Sequence, residues 1–121
     1  MAQVSTYLNF RRETEAAFNF YKSVFGTEYV NGIMRHRDVP PAEGMPRPAE
    51  EDLDLIVNVQ LPILGGHILM GTDAPESMGF AVNQGNSVYI MLQPDSREEA
   101  DRLFAALSEG GLRHARQGAR I

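Results

Sequence analysis

Two side chains stand out as candidates for chemistry, His67 and Asp73, both within the run GGHILMGTDAP. An imidazole titrates near neutral pH and a carboxylate can act as a general base. Each also has a plainer reading. A lone histidine in a strand more often makes a structural hydrogen bond than it binds a metal or moves a proton. An aspartate before Ala74-Pro75 more often bonds its own turn. His36 sits among arginines and His114 in an arginine-rich C-terminal stretch, so both read as solvated. The absence of cysteine removes thiolate catalysis, disulfides and cysteine-ligated metals together. No nucleophile–histidine–acid spacing is present. The glycines come as turn pairs and not as phosphate-cradling motifs, so nucleotide binding has no support. Nothing resembles a glycine-rich nucleoside-binding turn after a first strand, and no methyl-donor site is expected. Six methionines could line an adaptable apolar pocket, although Met70 and Met91 also suit a core.

The elements that must position these residues are read from periodicity. Val4–Phe10 alternates as a strand, with Val4, Thr6, Leu8 and Phe10 on one face and Ser5, Tyr7 and Asn9 on the other. Thr14–Phe25 is a helix whose apolar stripe is Ala17, Phe20, Tyr21 and Val24, closed by Gly26 in the left-handed region. It has acidic residues in its first turn but no convincing N-cap. Thr27–Val39 reads as a second strand, with Gly32 as a bulge. Arg35 and Arg37 on it suit edge protection better than an anionic ligand. Pro40–Leu53, with four prolines and an acidic end, is expected to be a solvated insert, with a lid as the alternative. Asp54–Leu61 and Gly66–Gly71 form an antiparallel hairpin about Gly65-Gly66. Its first strand puts Leu55, Val57, Val59 and Leu61 on one face and Ile56, Asn58 and Gln60 on the other. His67 then faces away from Ile68 and Met70.

A reduced copy of the opening follows. Ser87–Leu92 is expected to be a fifth strand. The next helix, started by a Ser96-x-x-Glu99 capping box and ended by Gly110-Gly111, repeats the stripe as Ala100, Leu103, Phe104 and Leu107. Strand-then-helix therefore occurs twice. Leu112–Ile121 shows neither strand nor helix period.

At 121 residues the chain makes one domain. A net charge of −5 argues against a nucleic-acid partner. All sixteen acidic residues precede residue 112, whereas 112–121 holds Arg113, Arg116 and Arg120. No apolar run reaches the roughly 20 residues a bilayer span needs, and no export signal is evident, so a cytoplasmic location is expected.

Taken in order, YLNF, the helix end FYKSVFG, GGHILMGTDAP, the GN before the fifth strand and SREEADRLFAALSEGG resemble the PhnB-like branch of the glyoxalase/bleomycin-resistance family, the vicinal oxygen chelate superfamily. The likeness runs from about Tyr7 to Gly111 and implies an α+β fold of paired βαβββ modules. Here that means module one at 3–85, an incomplete second module at 86–111 and an atypical tail at 112–121. Relatives continue with three further strands, so the tail is expected to be a truncated or frame-shifted end. Metal-dependent relatives place ligands on the first, fourth, fifth and eighth strands. The positions here offer Tyr7 and Asn9, then His67, Met70 and the following Asp73, then Tyr89 and Met91, and no eighth strand. No metal and no cofactor are therefore expected. The resemblance implies a small-molecule cleft lined by Tyr7, Asn9, His67, Met70 and Tyr89, with Asp73 at its rim, in a homodimer that covers the unfinished edge. Whether the protein is an enzyme stays open. The alternatives are a metal-dependent lyase, isomerase or dioxygenase, and an antibiotic-sequestering dimer.

Overall fold

The computed structural model describes residues 2–40, 43–44, 47–109, 112–114 and 118–120. Its elements are β1 (Thr6–Phe10), α1 (Thr14–Phe25), β2 (Met34–Arg35), β3 (Ile56–Pro62), β4 (Ile68–Asp73), α2 (Arg97–Ser108), β5 (Leu112–His114) and β6 (Gly118–Arg120). The first four strands make one mixed sheet in the order β1-β4-β3-β2, in which β1 and β4 are parallel and the other pairs antiparallel. This is a small α+β fold. Contacts divide it into two units, residues 1–85 and 86–121.

In the first unit, α1 covers one face of the sheet. Its buried residues are Thr14, Phe18, Tyr21 and Val24. The stripe is thus centred on Phe18, and Phe20, expected in the core, is only half-buried. The reason lies across the interface at Gly71. A Cβ at Gly71 would lie 2.5 Å from Phe18 Cε1 and 3.0 Å from Thr14 Cγ2. The glycine is the recess into which the ring packs, edge-on to Phe10 and Tyr21. Around them Ile56, Val59, Leu61 and Leu69 complete the core. Gly26 ends the helix at φ 66°, with its N–H bonded to the Lys22 carbonyl.

The N-terminus of α1 has no local side-chain cap. Asp73, at the end of β4, supplies one from across the fold. Its Oδ1 accepts from Thr14 N (3.1 Å) and Thr14 Oγ1 (2.7 Å), and its Oδ2 accepts from Ile56 N (2.8 Å).

The hairpin β3–β4 forms as expected, with Gly65 and Gly66 at φ 68° and 79° and Pro62 opposite Ile68. The second strand needs correction. Only Met34–Arg35 of Thr27–Val39 is a strand, with single backbone bonds to Gln60 from Val30 and to Leu55 from His36 on either side, because Asn31 and Gly32 turn the chain in the left-handed region and His36–Asp38 winds into a 3₁₀ turn. There the Asp38 carboxylate takes the Arg35 N–H at 3.0 Å. The face assignment in β3 is corrected as well, since Ile56 and Val59 are both fully buried. The register shifts between Met34 and Arg35, which breaks strict alternation near Ile56. The acidic end of the 40–53 loop is not simply solvated: Glu50–Asp52 is a 3₁₀ turn and Asp52 is buried. Residues 41–42 and 45–46 of that loop lie outside the described residues.

In the second unit, α2 begins at Ser96, whose hydroxyl accepts the Glu99 N–H at 3.1 Å. The expected reciprocal bond is replaced by an Arg102–Glu99 ion pair, so only half of the capping box forms. Leu103 is buried and Ala100, Phe104 and Leu107 half-buried, the expected stripe. The predicted fifth strand, Ser87–Leu92, is not formed. No ladder among the described residues reaches it. The repeat is therefore seen as a strand and helix followed by a helix alone. The tail, read as lacking strands, carries the antiparallel pair β5–β6; three-residue strands are too short to leave a period. The proposed helix stop at Gly110-Gly111 lies outside the described residues.

Gly71→Ala is expected to cost about 1–3 kcal/mol through overpacking against Phe18. Adding Phe18→Leu should recover part of that loss, giving non-additive free energies in urea unfolding. Additive effects would show that the ring and the glycine are uncoupled.

Candidate functional site

With α1 on one face, the other face of the sheet is the broad open surface of the first unit. Along β4 the buried residues, Leu69, Gly71 and Asp73, alternate with the half-buried Ile68, Met70 and Thr72. The register sets Tyr7 opposite Met70 and Asn9 opposite Thr72. On the other side of β4, Gln60 lies opposite Met70, and Asn58 lies opposite Met34 on the edge strand. Tyr7, Asn9, Met70, Thr72, Gln60 and Asn58 thus share one face, with Tyr7 49% exposed. Gln60 Nε2 donates to Asn58 Oδ1 at 3.4 Å. Two shallow depressions elsewhere on the unit, beside Lys22 and beside Arg11, include none of these six.

Of the residues singled out from sequence, the structure brings together Tyr7, Asn9 and Met70. His67 precedes β4, and its Nε2 lies 2.8 Å from Thr6 Oγ1, on the strand position facing away from Tyr7. Asp73 is buried on the helix side, with both oxygens engaged by Thr14 and Ile56. Tyr89 belongs to the second unit, in the irregular exposed run Val88–Met91. Asn58, Gln60 and Thr72 were not among the candidates. The signal for the first two was present in the alternation of DLIVNVQL, which places them opposite the apolar positions.

Several charged residues of this unit pair with one another. Arg35 makes a two-point contact with Glu15 on α1 (3.1 and 2.6 Å) and also reaches the Asp54 carbonyl. That guanidinium holds the Glu15 carboxyl below its usual range. Arg37 pairs with Asp54 at 3.0 Å. Both arginines are therefore internal partners. Arg12 Nη1 stands 2.9 Å from the buried Asp52 Oδ1 but out of line for a hydrogen bond, so that oxygen is ion-paired without an aligned donor. Ser77 Oγ donates to Asp52 Oδ2 at 2.8 Å, and Arg12 Nη2 donates to the same hydroxyl at 3.2 Å. The Ser77 bond, followed by Arg12, lowers the Asp52 carboxyl below its ordinary value. This cluster ties the β1–α1 turn, the 50–52 turn and the segment after β4.

The superfamily resemblance implies a divalent metal in some relatives. The open face presents amides, hydroxyls and a thioether, with neither imidazole nor carboxylate on its strand positions. Such a donor set does not fit Zn²⁺ or Ni²⁺. Among the described residues no group of three His, Cys, Asp or Glu is placed to hold an ion. No described helix is long and apolar enough to cross a membrane.

The profile of the family described as 3-demethylubiquinone-9 3-methyltransferase matches residues 2–119. The chain belongs to this PhnB-like family. The match continues past Gly111, where the motif resemblance was expected to stop. Protein PA1353 from Pseudomonas aeruginosa is 30% identical, over 92% of this chain and 75% of that one, with a TM-score of 0.75. A putative 3-demethylubiquinone-9 3-methyltransferase, a PhnB protein from Bacillus cereus, is 23% identical over 91% of this chain and 76% of its own, with a TM-score of 0.56; that likeness is one of fold. No curated protein matches.

The Asp52 shift sets a pH dependence. A carboxyl whose folded-state pKa is depressed adds stability above its unfolded value, about 3.9, and loses it as pH falls through the folded value. Asp52→Asn is expected to lower the thermal midpoint at pH 7, with the gap to wild type closing below about pH 4. A gap constant from pH 7 to pH 3 would show that the charge of Asp52 contributes nothing.

Proposed function

We propose that this PhnB-like protein is a metal-independent small-molecule binding protein of the vicinal oxygen chelate superfamily, with the open sheet face of residues 1–85 as its ligand surface. The supporting observation is the row of uncharged polar and thioether side chains across three strands, Tyr7, Met70 and Gln60, with Asn9 beside it. Nothing inside the protein uses the Tyr7 hydroxyl or the Asn9 amide among the described residues. A face built only to be solvated would not need an aromatic ring and a thioether side by side. In this reading His67 and Asp73 act by positioning: His67 steadies β1 through Thr6, and Asp73 holds α1 against β3 and β4.

The family description names a methyl transfer. The turn after β1 is Arg11-Arg12-Glu13, in which the Glu13 carboxylate accepts both arginine N–H groups, and it has no glycine to admit a nucleoside. The binding reading therefore has the stronger physical support. The metal-dependent reading lacks ligands on the face, and sequestration of a cationic drug lacks the carboxylates it would need there.

We propose as well that the protein is a homodimer located in the cytoplasm. The support for pairing is the run Val88, Tyr89, Ile90 and Met91, with Val88 79% and Met91 80% exposed, which a second copy would remove from water. Light scattering at micromolar concentration should give twice the chain mass; the single-chain mass would end that part of the proposal.

A thermal-shift screen of small uncharged aromatics should yield ligands whose effect survives chelator treatment. Tyr7→Ala or Asn9→Ala should weaken them about tenfold, the value of roughly one hydrogen bond and its contact. Stoichiometric Ni, Zn, Mn or Fe in protein purified without chelator, or ligand shifts abolished by chelator, would contradict the reading.

A further inference from the structure

The open face has dimensions and a charge pattern that together select a ligand class. Its residues form two rows. Tyr7, Met70 and Gln60 lie side by side on β1, β4 and β3. Asn9 and Thr72 follow on β1 and β4, and Asn58, two residues before Gln60, continues that row towards Met34 on β2. Neighbouring strands lie about 4.8 Å apart and side chains two residues apart on a strand about 6.7 Å, so the patch measures roughly 10 by 7 Å. That is the footprint of one or two fused six-membered rings.

The chain carries 27 charged residues, 11 basic and 16 acidic, yet none occupies these positions. Arg11 continues β1 beyond Asn9, but its guanidinium donates to the Val82 carbonyl at 3.3 Å. Arg35, on the edge strand, is turned to Glu15. An ion laid on this face would leave water without a counter-charge, whereas an uncharged polar ring keeps its hydrogen bonds. The Gln60–Asn58 bond uses one donor and one acceptor, leaving Gln60 Oε1 to accept and Asn58 Nδ2 to donate. The Tyr7 ring and Met70 thioether, adjacent in register, offer the polarizable surface that ring faces favour.

We propose that this face takes an uncharged planar compound of one or two fused rings, bearing both a hydrogen-bond donor and an acceptor, in preference to an anion or a cation of the same shape. The proposal rests on the reading of the face as the ligand surface and adds the class of ligand.

Three probes built on one two-ring frame test it on the full chain labelled at the methionine methyls: quinolin-2-one (neutral), quinoline-2-carboxylate (anion) and N-methylquinolinium (cation). Quinolin-2-one is expected to shift the Met70 and Met34 signals in NMR titration and to bind at least about tenfold more tightly than either ion. Gln60→Lys should raise the affinity for the carboxylate about tenfold at the same methyls. An ion that shifts those methyls with equal or greater affinity would overturn the ligand class while leaving the face as the binding surface. If no probe moves either methyl, the reading of the face fails and the ligand class with it.

Discussion

The Asp73 carboxylate is the point on which the first unit turns. It is buried, and a buried carboxylate is costly unless its oxygens are met by donors. Three donors from two other elements meet it: the amide and hydroxyl at the first residue of α1 and the amide at the first residue of β3. One side chain thereby caps a helix that has no cap of its own and ties it to the strands beneath. Hydrogen bonds to a charged group contribute about 1.5–3 kcal/mol each, more than the ordinary backbone bond. The helix so held places Phe18 over Gly71, and the small residue lets the ring sink onto the sheet.

That attachment decides which face of the sheet is turned away from α1. Leu69, Gly71 and Asp73 turn to the helix, so Met70 and Thr72 turn away from it, and the pairing carries Tyr7, Asn9 and Gln60 with them. Three ion pairs, meanwhile, sit at the rim. Arg12 with Asp52, Arg35 with Glu15 and Arg37 with Asp54 each fasten a loop or edge to its neighbour. A chain with many ionic groups thus keeps one broad sheet face free of them.

Much of this was legible in the sequence where local rules governed. The bounds of α1, its Gly26 stop and the Gly65-Gly66 hairpin follow from periodicity and turn chemistry that need no tertiary partner. The misreadings fall where distant partners decide. Phe18 replaced Phe20 in the core because Gly71, 53 residues away, makes room for it. Asp52, in an acidic loop end that looked solvated, is drawn in by Arg12 and Ser77. Ser87–Leu92 has strand-forming residues throughout, but its state depends on a neighbour that composition cannot supply. Of the candidate site, Tyr7, Asn9 and Met70 came out on one face because alternation is local. His67 and Asp73 lie on the other side because their contacts, Thr6, Thr14 and Ile56, are remote in sequence.

Membership of a PhnB-like family does not by itself assign chemistry to this face. Asp73 orients the sheet by holding α1 and β3 together. Amide hydrogen exchange in Asp73→Ala reads that attachment residue by residue. Protection at Thr14 and at Ile56 should fall together, by about 10- to 100-fold, while Leu61 and Leu69 in the hairpin lose less. Native protection at both Thr14 and Ile56 in the variant would contradict it.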